Sequence, residues 1–159
     1  MATVSRGGYS YTSRYCEENV WMMAKQLLAL ESNADARCYA IFISNRQKTV
    51  AMYAVAGHPK GIVWDYHVVF AMDVNGALHI FDLDTSLPLP CPLAKYAMDS
   101  FRPREQTARK LAPVFRVVPG REFLATFASD RSHMLDSKGV WSSPPPSYPC
   151  IATQCKAWV

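Results

Sequence analysis

The stretch I-V-W-D-Y-H-V-V-F-A-M-D-V-N-G-A-L-H-I-F-D-L-D, residues 62–84, sets two apolar runs on either side of Asn75-Gly76. Asn-Gly is a favoured two-residue loop of a β-hairpin, because both central positions need φ > 0 and these residues tolerate it best. The reading is a hairpin, with strands over 62–73 and 77–84. A two-residue loop sets Val74 opposite Ala77. Counting outward, His67 falls directly across from Asp84 and diagonal to Asp82. Side chains alternate faces along a strand, so all three point to one face of the sheet. A one-residue bulge would part the histidine from both carboxylates, whereas a two-residue slip would keep them together.

On the N-terminal side of this hairpin, C-Y-A-I-F-I-S (38–44) is a further strand by its β-branched and aromatic content. Asn45 to Lys48 is a turn, T-V-A-M-Y continues as another strand, and Gly57-His58-Pro59-Lys60-Gly61 is a loop. Farther up, Cys16, Val20, Trp21, Ala24, Leu27 and Leu28 recur with the 3.6-residue period of a helix, uninterrupted by Pro or Gly. Ser13 is the candidate cap of its start, and there is no capping box because Cys16 stands three residues on. Glu31-Ser32-Asn33 ends the helix. Residues 1–12 are small and polar, a loose lead-in. On the C-terminal side, L-P-L-P-C-P (87–92) is punctuated by proline. A short helix is predicted over 93–101, a strand over 115–118, and a helix over 121–127 behind Pro119-Gly120. S-S-P-P-P-S-Y-P-C (142–150) has to be extended, since proline cannot continue a helix.

The totals bound the function. A chain of 159 residues is one domain's worth, large enough for a single core. Net charge is +4, from 17 basic and 13 acidic residues. The one basic cluster, Arg102, Arg104, Arg109 and Lys110, reads as a solvated face, so no nucleic-acid partner is expected. The first residues lack the apolar core of a signal peptide, and no apolar run reaches membrane-spanning length, so no membrane partner is expected either. Five cysteines at irregular spacing, without a C-x-x-C pair, argue against a disulfide framework or a structural zinc site. Reduced thiols, and with them a cytoplasmic or nuclear location, are the expectation.

A nucleophilic thiol needs thiolate character, a base, and a group to orient that base. Cys16 stands at a helix N-terminus, whose dipole lowers a thiol pKa from about 8.5. Glu17 and Glu18 work against that, so the helix end alone does not activate the sulfur. His67 can take the proton, and Asp82 or Asp84 can hold the imidazole by its other nitrogen. Each residue also has a plainer reading. Cys16 fits a buried position on an apolar helix face, His67 fits a strand histidine, and a single Asp across from it fits a cross-strand pair. His133, in S-D-R-S-H-M, is a rival base, His58 reads as a surface loop residue, and His79 points to the other face by parity.

Six blocks carry a resemblance: Y-C-E-E-N-V-W, C-Y-A-I-F-I-S-N, V-W-D-Y-H-V-V, F-D-L-D-T-S-L-P-L-P-C, F-A-S-D-R-S-H-M and P-P-P-S-Y-P-C-I. In that order, from Tyr11 to Ile151, they resemble the protein N-terminal glutamine amidohydrolases. The resemblance implies an α+β fold of papain and transglutaminase type, a mostly antiparallel sheet packed on an N-terminal helix that bears the nucleophile. It implies deamidation of an N-terminal glutamine to glutamate, which feeds the N-degron route, by a Cys-His-Asp triad without metal or cofactor. Carried over by position, the triad is Cys16, His67 and Asp82, so the resemblance selects Asp82 where the hairpin left Asp84 open. Partners are then proteins or peptides that begin with Gln, met by a monomer. Glu17, Glu18 and Asp65 are candidate acceptors for the substrate's α-ammonium, by nearness in sequence. Their plainer reading is helix-start solvation for the two glutamates and a surface strand position for Asp65. Family members continue past P-C-I with a further, aromatic-rich segment, and A-T-Q-C-K-A-W-V stands here in its place. A C-terminally short form is therefore expected. The alternatives are an inactive form that still binds Gln-initiated chain ends, or another cysteine acyl-transfer enzyme, a peptidase or a transglutaminase.

Overall fold

The computed structural model describes residues 4–104 and 111–153. The chain opens with a small hairpin, β1 (Val4–Arg6) and β2 (Tyr9–Tyr11), where a loose lead-in was expected. Helix α1 follows (Cys16–Leu28), then β3 (Cys38–Ser44), β4 (Val50–Met52), β5 (Ile62–Trp64), β6 (Tyr66–Val74) and β7 (Ala77–Phe81). Beyond them lie β8 (Cys91–Pro92), α2 (Leu93–Phe101), β9 (Val114–Pro119) and α3 (Gly120–Thr126). Five strands make one sheet in the order β8-β7-β6-β3-β9, antiparallel throughout, while β4 and β5 pair separately. The fold is α+β.

Both faces of the sheet are covered, which is why β6 reads as an unbroken apolar run. Val68, Phe70 and Met72 point to the face where Val20, Met23, Ala24 and Leu27 of α1 pack, with Phe123 of α3 beside them. Val69 and Ala71 point to the opposite face, against Val50 and Met52 of β4 and Tyr96 of α2. Met23 is 1% exposed and Leu27 7%, and burying side chains of that size is worth about 1.5–3 kcal/mol each.

The 62–84 hairpin closes as the sequence requires. Asn75 and Gly76 have φ of 53° and 84°, and the register pairs Val74 with Ala77 and Phe70 with Phe81. Two details differ from the simple reading. The first run is broken at Asp65, so Ile62–Trp64 joins β4 and only Tyr66–Val74 enters the large sheet. The second strand stops at Phe81, where the chain turns and the Asp84 N–H bonds back to Asp82 Oδ1 at 2.9 Å.

Ser13 does not cap α1. Tyr15 occupies that position without a side-chain bond, and Asn19 fixes the entry instead. Its amide accepts the Thr12 N–H and donates to the Thr12 carbonyl, both at 2.8 Å. Of the expected basic cluster, Arg109 and Lys110 lie outside the described residues, and Arg102 stacks on the Tyr53 ring at 4.3 Å.

Candidate active site

The site forms where β6 and β7 part. Their ladder ends at Phe70 and Phe81, so His67 and Asp82 lie just beyond it, and parity puts both on the face covered by α2. His67 Nε2 lies 2.9 Å from Asp82 Oδ1, and both side chains are buried. Tyr96 of α2 donates to Asp82 Oδ2 at 2.7 Å, so the carboxylate is held by an imidazole, a phenol and a backbone N–H. The Trp64 ring stacks on His67 with centroids 4.4 Å apart.

The electrostatics follow from that packing. Burial alone would raise the pKa of Asp82. The charge of His67 and the bonds from His67, Tyr96 and the Asp84 N–H outweigh it and hold the carboxyl below 3.8. Burial pushes His67 down, but the charge and hydrogen bond of Asp82 win, and its pKa lies above 6.5. An ionised carboxylate only accepts hydrogen bonds. His67 Nε2 therefore carries a proton toward Asp82, and Nδ1 is the basic nitrogen.

Cys16 opens α1 and is half-buried. Its thiol donates to Glu17 Oε2 at 3.4 Å, and Glu17 Oε1 accepts the Tyr66 hydroxyl at 2.5 Å. Burial pushes the thiol pKa well up, and the charges of Glu17 and Asp84 add to that. A backbone hydrogen bond from Val68, the neighbour of His67, opposes them. The resting sulfur is thus a protonated thiol; of the two glutamates expected to oppose its ionisation, Glu17 does so and Glu18, turned to Arg131, does not.

Cys16, His67 and Asp84 line one cavity of about 650 Å³, together with Tyr11, Trp64 and Asp65. Asp84 Oδ1 accepts the Tyr11 hydroxyl at 2.5 Å. His58 and His133 also line this cavity and are exposed; His79 is bonded to the Ala77 carbonyl on β7. The rival base therefore shares the cavity, but the buried imidazole on a carboxylate is that of His67. His67, Asp82 and Asp84 are also the described residues whose donor atoms converge, within 4.8 Å of one another, as a cation would need. Asp82 already receives three donors there.

The three acidic residues expected to meet a substrate amine part company. Glu18 is buried and takes Arg131 in a two-point ion pair, Nε to Oε1 and Nη2 to Oε2, each at 2.7 Å. It stands outside the cavity for that reason. Glu17 is engaged by Cys16 and Tyr66. Asp65 lines the cavity, exposed, with Oδ1 accepting the Tyr66 N–H at 2.9 Å.

A family model described as N-terminal glutamine amidase matches residues 11–158. The chain belongs to the N-terminal glutamine amidase family. The protein N-terminal glutamine amidohydrolase of Bos taurus is 42% identical over 155 residues, covering 96% of this chain and 75% of the relative. That of Homo sapiens is 40% identical over 155 residues, with 96% and 76% covered. That of Danio rerio is 42% identical over 150 residues, with 90% and 72% covered.

For a member of this amidase family, reasoning on sequence alone missed four residues at or beside the site: Tyr11, Trp64, Tyr96 and Arg131. Trp64 stands three residues before His67 but on a strand of another sheet, so strand parity gives no hint of the stack. Tyr96 reaches Asp82 from a helix, and Tyr11 reaches Asp84 from 73 residues away. Arg131 sits in a block quoted for the resemblance, but Glu18 read as a solvated helix-start residue, and only its burial in the fold shows that a cation has to meet it.

Proposed function

We propose that this protein deamidates the side chain of an N-terminal glutamine on proteins or peptides, giving glutamate and ammonia. The observation that carries the reading is a buried His67–Asp82 pair at 2.9 Å whose histidine lines one cavity with a helix-starting Cys16, in a chain of the N-terminal glutamine amidase family. Cys16 is the nucleophile, His67 the general base and acid, and Asp82 the residue that orients His67. As the Cys16 sulfur attacks the amide carbon, His67 Nδ1 takes the thiol proton. Backbone N–H groups, that of Cys16 among them, steady the oxyanion. His67 returns the proton to nitrogen, the C–N bond breaks, and ammonia leaves a γ-glutamyl thioester. His67 then deprotonates water, which attacks the thioester. The C–S bond breaks, the thiol recovers its proton, and glutamate is released.

A thiol on a helix start and an imidazole bonded through Nε2 to a carboxylate suit the papain and transglutaminase type of arrangement. We assign the fold to that type. Four described cysteines are free thiols, which fits a reducing compartment, cytoplasmic or nuclear. No described helix is long and apolar enough to cross a membrane. We take the working form as a monomer.

Mass spectrometry on a Gln-initiated peptide with an internal lysine tests the reading. The expected product is the whole peptide, heavier by about one dalton, with ammonia released and no loss from the same peptide acetylated at its N-terminus. Cleavage of a peptide bond would make the protein a peptidase. A Gln–Lys crosslink would make it a transglutaminase.

A further inference from the structure

Resting on that deamidase reading, we infer that Asp84, held by Tyr11, receives the α-ammonium of the substrate and so restricts the reaction to free chain ends. In glutamine the α-nitrogen is four bonds from the side-chain amide carbon, at most about 5 Å away. With that carbon at the Cys16 sulfur, the ammonium must lie within the same cavity and close to the thiol. Asp84 meets this requirement. It lines the cavity, its carboxylate lies within 4.8 Å of the donor atoms of His67 and Asp82, and its charge reaches the Cys16 sulfur. The Tyr11 hydroxyl fixes the carboxylate at 2.5 Å, and the Asp84 N–H is tied to Asp82. A carboxylate has about four lone-pair directions, so it can take an ammonium alongside a phenol.

The other acidic candidates fit less well. Glu17 holds the Cys16 thiol and the Tyr66 hydroxyl and stands outside the cavity lining, and Glu18 holds Arg131. Asp65 is exposed, where screening by water weakens a charge contact.

This placement couples recognition to chemistry. Burial and the charge of Glu17 hold the Cys16 thiol protonated, and the charge of Asp84 adds to them. An ammonium seated on Asp84 offsets one of those charges, so the thiol yields its proton more readily when a chain end is in place. The titratable groups that face Asp84 are Tyr11 of β2, Cys16 of α1, His67 of β6, Asp82 after β7 and Tyr96 of α2. Arg14, His58 and His133 line more of the cavity.

The test compares kcat/KM on a Gln-initiated peptide with that on the same peptide carrying hydrogen in place of its α-amine. Wild-type protein is expected to prefer the amine at least about tenfold, since the desamino peptide forgoes the charge-assisted contact to the half-buried Asp84 carboxylate. That preference should shrink as pH rises through the ordinary range of the substrate α-amine, about 7.7–8.0. In Asp84→Asn it should fall to about twofold or less, and Asp84→Ser reads the same ratio should the amide variant not fold. A preference kept by both variants, or one that Asp65→Asn removes instead, overturns the assignment. A wild-type protein that deamidates neither peptide would refute the deamidase reading itself, a separate result.

Discussion

His67 is bonded through Nε2 to a carboxylate that stays ionised, so the base role proposed for it requires an unprotonated Nδ1. Asp82 raises the pKa of this imidazole above the ordinary histidine value of 6.5. Activity therefore falls as pH drops through that raised value, and the acid limb of kcat/KM is expected above 6.5. Asp82→Asn removes the charge that raises it. The limb should move down, and kcat should fall by roughly a hundredfold or more, since an amide can hold the wrong tautomer. Asp84→Asn should weaken use of the substrate amine while sparing more of kcat. A pH profile on all three proteins checks both expectations. The carboxylate choice shows what residues alone reveal. Strand parity placed His67, Asp82 and Asp84 on one face, but the choice between the carboxylates was not in the pattern. It depends on where β7 stops, and the turn after Phe81 is a tertiary event.

The elements were legible where hydrophobic period and turn chemistry agree. Asn75-Gly76 fixed the hairpin register, and the apolar run Cys38–Ser44 is observed with the bounds read for it. The break at Asp65 was not legible, because Ile62–Trp64 and Tyr66–Val74 are both apolar runs and only their partners differ. The first hairpin escaped notice because its strands are three residues each and polar in part. At this scale Gly120 is the position to change. A Cβ there would lie 2.6 Å from Cys38 Sγ and 3.0 Å from the Phe70 ring, where α3 presses on the sheet. Gly120→Ala should lower stability by about 1–3 kcal/mol in urea unfolding, the usual range for overpacking, while folded protein keeps its catalytic groups.

Across the whole molecule, the Glu18–Arg131 pair ties the start of α1 to a segment more than a hundred residues later. Arg131 also donates to the carbonyls of Tyr148 and Pro149, so it clamps the proline-rich stretch beside the helix that carries Cys16. Arg131→Ala would leave Glu18 buried without its cation and should lose about 3–5 kcal/mol of stability, read as a lower urea midpoint. Replacing Glu18 as well by Leu should recover part of it. Neither residue carries a periodic signal that pairs it with the other, because their meeting is decided by the way the chain wraps around the sheet. The central claim is that this wrapping brings Cys16 and His67 together for covalent catalysis. Acid quenching during turnover of a Gln-initiated peptide, followed by peptide mapping, tests it most directly. The substrate should be found acylated on Cys16 with ammonia lost, and neither adduct nor deamidation should appear in Cys16→Ser. Deamidation at the wild-type rate by folded Cys16→Ser, with no adduct on the wild-type sulfur, would contradict it.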